Sequence, residues 1–311
     1  MYLKSIRPAC VFAAALALLS QATIAETFRV ATYNVENYLD QTTESRNNVK
    51  SADAKAKIRE GIKAMKPDVI AFQEMGSLSA LMELRDSLKK DGIDFQNWEH
   101  ITGHDTNIHV AVLSRFPIVA RRQHTNDSYL LNGRRFKVSR GFAEVDIKVN
   151  NDYTFTLITA HLKSRRPVPD GDEAEMRLEE AKLLREKVDA RLASDPNADL
   201  IVLGDFNHTY NTPSTKAVIG RGKTALVDTR PAERNGDNQP NPANPRYSPR
   251  NITWTHYYGV EDTYARIDYL MVSPTMARHW VTNETYIPTI PNWGIGSDHR
   301  PLVAEFETNN K

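Results

Sequence analysis

An α+β domain is what this chain of 311 residues is expected to form. Strand-length apolar runs, rich in β-branched residues, recur from one end to the other. Amphipathic stretches with helical spacing stand between some of them, and two runs face each other across an Asn-Asn-Asp turn. A 40% hydrophobic composition at this length allows one sizeable core.

The opening stretch, MYLKSIRPACVFAAALALLSQATIAETF, carries Lys4 and Arg7, an apolar run from Ala9 to Leu19, and Thr23-Ile24-Ala25 before Glu26. That is the layout of a cleaved secretory signal. The run is shorter than the roughly 20 residues that cross a bilayer, so cleavage after Ala25 is expected rather than a membrane anchor. Removing residues 1–25 takes away two bases and no acid, which turns the formal net charge from +1 to −1. A near-neutral chain gives no global argument for a polyanionic partner, and attraction to phosphate must come from local clusters. The only cysteine, Cys10, lies inside the signal, so the domain 26–311 needs no disulfide. A periplasmic or secreted monomer is expected.

FRVATY (Phe28 to Tyr33) is the first strand, and Ser51 to Met65 the first helix, with Ile58, Ile62 and Met65 on one stripe. DVIAF (Asp68 to Phe72) leads to a second helix whose stripe is Leu78, Leu81, Leu84, Arg85 and Leu88. HVAVLS (His109 to Ser114) precedes FAEVDIKV and YTFTLITA, a hairpin turning at Asn150-Asn151-Asp152. The longest helix, Glu173 to Leu192, should bury Met176, Leu178, Leu183, Leu184, Val188 and Leu192. LIVLG (Leu200 to Gly204), IDYLMVS (Ile267 to Ser273) and LVAEFE (Leu302 to Glu307) complete the strands, and Pro67 and Pro196 close helices. Residues 229–251, crowded with Pro, Asn and Arg, read as a long surface loop inside a single domain 26–311.

Several of these runs end in residues unsuited to a core. FRVATY leads to Asn34, DVIAF through Gln73 to Glu74, YTFTLITA to His161, and LIVLG to Asp205. Side chains two apart on an extended chain face the same way, so Asp205 and Asn207 can point together at one ligand. Taken singly, each has a plain alternative: a turn-forming Asn or Asp, a solvated Glu, a satisfied histidine. Their joint occurrence with GSDHRP (Gly296 to Pro301) is what points to a site.

The ordered set TYNVEN, PDVIAFQE, AVLSRFP, TAHLKS, GDFN, ARIDYLMVS and GSDHRP resembles the endonuclease/exonuclease/phosphatase (DNase I-like) superfamily over nearly the whole of 26–311. The resemblance implies a four-layered α/β sandwich, two face-to-face mixed sheets flanked by helices, and cleavage of phosphate esters. It implies Glu74 as the main ligand of a hard divalent cation, with Asn34 and Asp298 as further oxygen ligands. All-oxygen ligation suits Mg²⁺, or Mn²⁺ in its place. It implies that Asp205 orients or deprotonates water and that Asn207 hydrogen-bonds the phosphoryl group. His299, held by Asp268, would contact the phosphate, and His161 a phosphoryl or leaving oxygen. His299 and the adjacent Asp298 need not pair, since neighbours on an extended chain diverge.

The chain departs from DNase I-like enzymes at the glutamate that stands behind the histidine matching His161. Ile108 occupies about that place and the nearest acid is Asp105, so an electrostatic role is expected for His161. Arg134, Arg135, Lys137 and Arg140, and Lys163, Arg165 and Arg166, form basic runs that are either solvated faces or phosphate contacts. Arg140 is the preferred contact, with Lys163 and Arg165 beside it. Trp254 and Tyr264 would stack on a base or fill core. The resulting expectation is an exported Mg²⁺-dependent phosphodiesterase, an endonuclease acting on DNA or RNA. The alternatives are a phosphatase or phospholipase C-like enzyme acting on inositol phosphate or sphingomyelin, and an inactive binding or toxin-like subunit of the same fold.

Overall fold

A computed structural model describes residues 26–43, 45–234 and 251–308. The expected signal segment with Cys10, and residues 235–250 of the Pro/Asn-rich stretch, lie outside them.

Along the chain run β1 (Thr27–Tyr38), α1 (Ala52–Met65), β2 (Val69–Met75), α2 (Leu78–Lys90), β3 (Asn97–Ile101), β4 (His109–Ser114), β5 (Ile118–His124), β6 (Ser128–Leu131) and β7 (Arg134–Lys137). There follow β8 (Phe142–Lys148), β9 (Thr154–His161), α3 (Glu173–Ser194), β10 (Leu200–Asp205), α4 (Pro213–Ile219), β11 (Val227–Asp228) and β12 (Ala232–Glu233). The last are β13 (His256–Tyr258), β14 (Thr263–Ala265), β15 (Asp268–Val272), β16 (Trp280–Ile287) and β17 (Leu302–Glu307).

One sheet has the order β12-β16-β17-β1-β2-β4-β3, the other β11-β15-β10-β9-β8-β5, and both are mixed. Alternate residues of the two sheets meet between them: Phe28, Val30, Val69 and Ala71 pack with Phe155, Leu157, Ile201, Leu203, Leu270 and Val272. The intervening residues of the first sheet, among them Ala31, Ile70 and Phe72, pack against Ile58, Ile62, Leu81 and Leu84 of α1 and α2. Those of the second, Ile158, Val202 and Met271, pack against Leu184, Val188 and Val218 of α3 and α4. The result is four layers, helix on sheet on sheet on helix.

Ser51, Ser77 and Asp172 cap α1, α2 and α3 by accepting from backbone N–H groups of the first turn. The β8–β9 hairpin forms where expected. Strands β3, β5 and β16 are polar and lack an apolar run: β5 is an edge strand on which, after buried Ile118, exposed positions alternate with half-buried ones through Arg121, Arg122 and Gln123. Two helical stripes need correction. Leu78 is 41% exposed at the start of α2, and Leu178 and Leu183 are only partly buried on α3. The positions they were expected to fill are taken on α3 by Arg177, Glu180 and Arg185.

One buried group ties stability to pH. His109, on β4, is 5% exposed, and its ring lies 4.8 Å from that of His100. Burial, then the neighbouring His100, lowers its pKa to about 4, with Asp105 opposing. Above the ordinary value of 6.5 neither the folded nor the unfolded chain protonates this ring. As pH falls from there toward 4 only the unfolded chain takes up the proton, so stability drops. Urea midpoints should therefore be lower at pH 5 than at pH 7.5, and His109→Gln should shrink the difference; an unchanged difference would assign the acid sensitivity to other groups.

Candidate active site

The inner-face alternation that builds the core also delivers the site. On β1 the inward series Phe28, Val30 continues as Thr32 and Asn34; on β9 Phe155, Leu157 continues as Thr159 and His161; on β10 Ile201, Leu203 continues as Asp205. The registers set His161 beside Asp205 and Asp205 beside Asp268 across three adjacent strands. Beneath them lies a buried polar layer, with Thr32 Oγ1 donating to Gln73 Oε1 at 3.1 Å and Gln73 Nε2 donating to Thr159 Oγ1 at 3.2 Å.

Asn34 stands at the centre. Its Nδ2 donates to Asp205 Oδ2 at 3.0 Å and lies 3.4 Å from both Glu74 Oε1 and His299 Nε2. Its Oδ1 accepts the Glu36 N–H at 3.0 Å. The oxygen expected to face a cation is thus engaged with backbone, and the amide would have to turn over to present it.

Glu74 Oε2 accepts the Asn37 N–H at 3.0 Å, and its Oε1 is 4.0 Å from His161 Nε2. Four non-glycine residues at this rim take left-handed backbone: Glu36 (φ 41°), Asn37 (φ 51°), Glu74 (φ 60°) and Asn207 (φ 54°). Such strain persists where the surroundings impose it, and it concentrates at functional sites. Gly204 has φ 130°, and a Cβ there would collide with the Ala160 carbonyl oxygen, so the GDFN strand needs glycine to lie this close to β9.

Asp205 and Asn207 are held together, but not by an extended chain. The strand ends at Asp205, and Asn207 donates its backbone N–H to Asp205 Oδ1 at 2.7 Å in a local turn. Its Nδ2 donates to the Leu162 carbonyl at 3.0 Å and lies 3.3 Å from Asp205 Oδ2. The Asn207 amide therefore braces the site, where direct phosphoryl contact was expected.

His299 Nδ1 and Asp268 Oδ2 are 2.8 Å apart, both groups buried. Its Nε2 looks toward Asp205 Oδ2 at 3.8 Å and Asp298 Oδ1 at 3.9 Å, so the adjacent Asp298 and His299 do approach each other. Burial disfavours charge on His299, yet Asp268, Asp205 and Asp298 together hold its pKa well above the usual value. His161 is its opposite. Burial first, then Arg140 and His299, drive its pKa well below the usual value, leaving a neutral imidazole. Burial and then Asp268 push the Asp205 carboxyl up to about 7, against His299, the Asn207 N–H and Asn34. A proton acceptor near neutrality and a cationic imidazole thus stand side by side.

Asp105 does not back His161. It lies 3.5 Å from Arg140 Nε and accepts the Asn107 N–H, while His161 Nδ1 is buried with no hydrogen-bond partner among the described residues. Arg140 is 7% exposed; its Nε faces Asp105, and its Nη1 has no hydrogen-bond partner among the described residues, which leaves a donor for an anion. Lys163 departs from expectation: its Nζ donates to the Ser164 and Arg166 carbonyls at 3.2 and 3.1 Å, tying down its own loop. Arg165 is exposed. The Arg134 to Lys137 run is a solvated hairpin strand, with Arg134 on Asp170. Trp254 is half-buried outside the core clusters, 4.8 Å from Tyr264 and 5.4 Å from Trp293, with the Arg300 guanidinium 4.1 Å over its ring.

One neighbour was missed. His256 is 8% exposed, its ring lies 4.6 Å from that of His299, and its Nε2 is 3.6 Å from Asp298 Oδ2. His256, Asp298 and His299 form one group of candidate metal-ligating atoms, and Asp205, Asp268 and His299 another. The signal was a histidine at the head of a short strand, TWTHYY, but nothing near it says that β13 pairs with residues 298–300.

A sandwich of two mixed sheets with acids, amides and histidines converging at one rim defines the class of DNase I-like phosphoesterase folds. The match to the endonuclease/exonuclease/phosphatase family spans residues 31–299, and the chain belongs to that family, whose members are metal-dependent phosphoric ester hydrolases. Similar solved structures include a family protein from Bacteroides thetaiotaomicron, 20% identical, covering 92% of this chain and 99% of that one with a TM-score of 0.58. A double mutant of the Staphylococcus aureus beta toxin with bound magnesium ions is 18% identical, covering 90% and 99% with a TM-score of 0.60. Sphingomyelinase C from Streptomyces griseocarneus is 19% identical, covering 90% and 99% with a TM-score of 0.57. No curated protein sequence matches this chain.

Proposed function

We propose that this chain is an exported Mg²⁺-dependent phosphodiesterase that hydrolyses nucleic acid as an endonuclease. The observation that supports it is the meeting of Glu74, Asp205 and His299 around the single amide of Asn34, with His161 against both Glu74 and Asp205.

Glu74 and Asp298 would hold the cation, with His256 against Asp298. The oxygen donors fit a hard ion, and Mg²⁺ would neutralise charge on the phosphoryl oxygens. The rest is the work of side chains. Water approaches phosphorus opposite the leaving oxygen, and Asp205 Oδ2, facing the centre of the site, accepts its proton. An oxygen–phosphorus bond forms as the bond to the leaving oxygen breaks, and that oxygen departs as an alkoxide that takes its proton from solvent water. The His299 imidazolium, oriented by Asp268, donates to a phosphoryl oxygen as charge accumulates there. Neutral His161 and the unpartnered Nη1 of Arg140 would meet the phosphate as well, and the Trp254, Tyr264 and Trp293 cluster offers faces for an unstacked base. Export follows from the reading of residues 1–25.

A second reading keeps the chemistry and changes the substrate to a choline phospholipid. It is favoured by the fold shared with sphingomyelinase C and by Val260, Tyr258 and Tyr264, which are 81%, 41% and 57% exposed on and between β13 and β14. Incubation of the mature protein with plasmid, RNA, sphingomyelin and inositol phosphates, each with Mg²⁺ or EDTA, separates the readings. Nicked plasmid is expected with Mg²⁺ and none with EDTA. Phosphocholine release without nicking would favour the lipid, and turnover unaffected by EDTA would remove the metal from the mechanism.

A further inference from the structure

The inward face of α3 carries Arg177 at 1% exposure and Glu180 at 0%, where a leucine stripe was expected. Burying such charges is costly unless their hydrogen-bonding groups are met, and apolar residues in the same space are often neutral or stabilising; Arg177 Nε has no hydrogen-bond partner among the described residues. Their partners show what they do. Glu180 Oε2 accepts the Lys163 N–H at 2.7 Å and Oε1 accepts the Ser139 N–H at 3.0 Å. Arg177 Nη1 donates to the Lys163 carbonyl at 2.8 Å. Side chains one turn apart on a helix thus hold both the N–H and the C=O of Lys163. Each Glu180 oxygen faces an N–H donor, so the carboxylate is the form the geometry fits, although burial raises its pKa.

Both ends of this clamp lead into the active site. Lys163 is two residues beyond His161. The intervening Leu162 donates its N–H to the Asp205 carbonyl at 3.0 Å and accepts from the Asn207 amide at 3.0 Å. Ser139 immediately precedes Arg140, whose backbone is so closely covered that a Cβ at Gly103 would overlap it. One buried carboxylate therefore joins the segment carrying His161 to the segment carrying Arg140.

We infer that Arg177 and Glu180 are positioning residues, which fix the Arg140 guanidinium relative to His161 and Asp205 and so preform the anion grip. The inference rests on the phosphoesterase reading of the site. A preformed donor array needs no reorganisation when charge develops on the substrate, which is worth a fixed backbone on both sides.

The test is a double-mutant cycle on the full mature chain: wild type, Glu180→Gln, Arg140→Ala and the double variant, with Glu186→Gln on the exposed side of the same helix as control. Glutamine keeps one acceptor and turns an NH₂ toward the other N–H. On bis(p-nitrophenyl) phosphate with Mg²⁺, Glu180→Gln should lower kcat/KM roughly tenfold to a hundredfold, as expected when a reacting geometry loosens by about an ångström. The double variant should lose little more than Arg140→Ala alone, since neighbours acting through each other are not additive. Wild-type kcat/KM in Glu180→Gln, or full additivity with Arg140→Ala, overturns the inference. If the wild type does not turn over this diester, that counts against the phosphoesterase reading. The same cycle is then read by calorimetric binding of inorganic phosphate, where a similar rise in Kd and the same non-additivity are expected. Wild type that binds no phosphate overturns both. Should Glu180→Gln not fold, Arg177→Lys takes its place in the cycle, under the same criterion.

Discussion

Asp205→Asn is expected to reduce phosphodiester turnover by about a thousandfold, within the range assigned to general acid–base catalysis, while the chain stays folded. The substitution is nearly isosteric. Asn can still accept the Asn207 N–H through its oxygen, so the local turn that Asp205 Oδ1 now makes survives. What disappears is the proton acceptor on Oδ2, which faces Asn34, His161 and His299. Asp205 also helps keep His299 charged, so the variant weakens the phosphate contact as well. Rates measured with saturating Mg²⁺, alongside circular dichroism, check this. Wild-type turnover in a folded variant would exclude Asp205 as the base and leave it a structural brace.

How much of this was readable from residues alone can be judged strand by strand. The series Phe28-Val30-Thr32-Asn34 and Phe155-Leu157-Thr159-His161 show in plain sequence that each inner face passes from apolar to hydroxyl or amide to functional group. Period two is local, so it is legible, and so were the strands and the rim. Asn207 was misread because a single left-handed residue ends the periodicity without any change in residue type. His256 was missed because its place depends on the pairing of β13 with residues 298–300, a long-range match that no local pattern encodes. Arg177 and Glu180 looked like the solvated face of an amphipathic helix. Only the arrival of the 139 and 163 backbones under α3 makes them interior. Local periodicity thus located the reacting groups, while the residues that brace them came from tertiary contacts.

The backbone strain at Glu74 leads to the second large effect. Glu74→Gln should weaken Mn²⁺ binding in the absence of substrate by roughly a hundredfold or more, beyond what loss of an outer partner to a metal ligand costs, and turnover at limiting Mg²⁺ should fall with it. Glu74 sits at φ 60°, a conformation that a residue with a side chain adopts only when its surroundings impose it. What imposes it here is the rim: Oε2 takes the Asn37 N–H, and Asn37 and Glu36 are themselves left-handed. Strain held by three residues on the neighbouring strands β1 and β2 accompanies a Glu74 carboxylate within 4.0 Å of His161 and 3.4 Å of Asn34. Glutamine preserves the shape and one acceptor for the Asn37 N–H but removes the negative charge that a hard cation requires. Calorimetry or electron paramagnetic resonance with Mn²⁺ reads the affinity directly, apart from any assay of activity. Undiminished Mn²⁺ binding would move the cation to the Asp298, His256 and His299 group, where nitrogen donors favour a softer ion, and the preference would then run toward Mn²⁺ or Zn²⁺ rather than Mg²⁺.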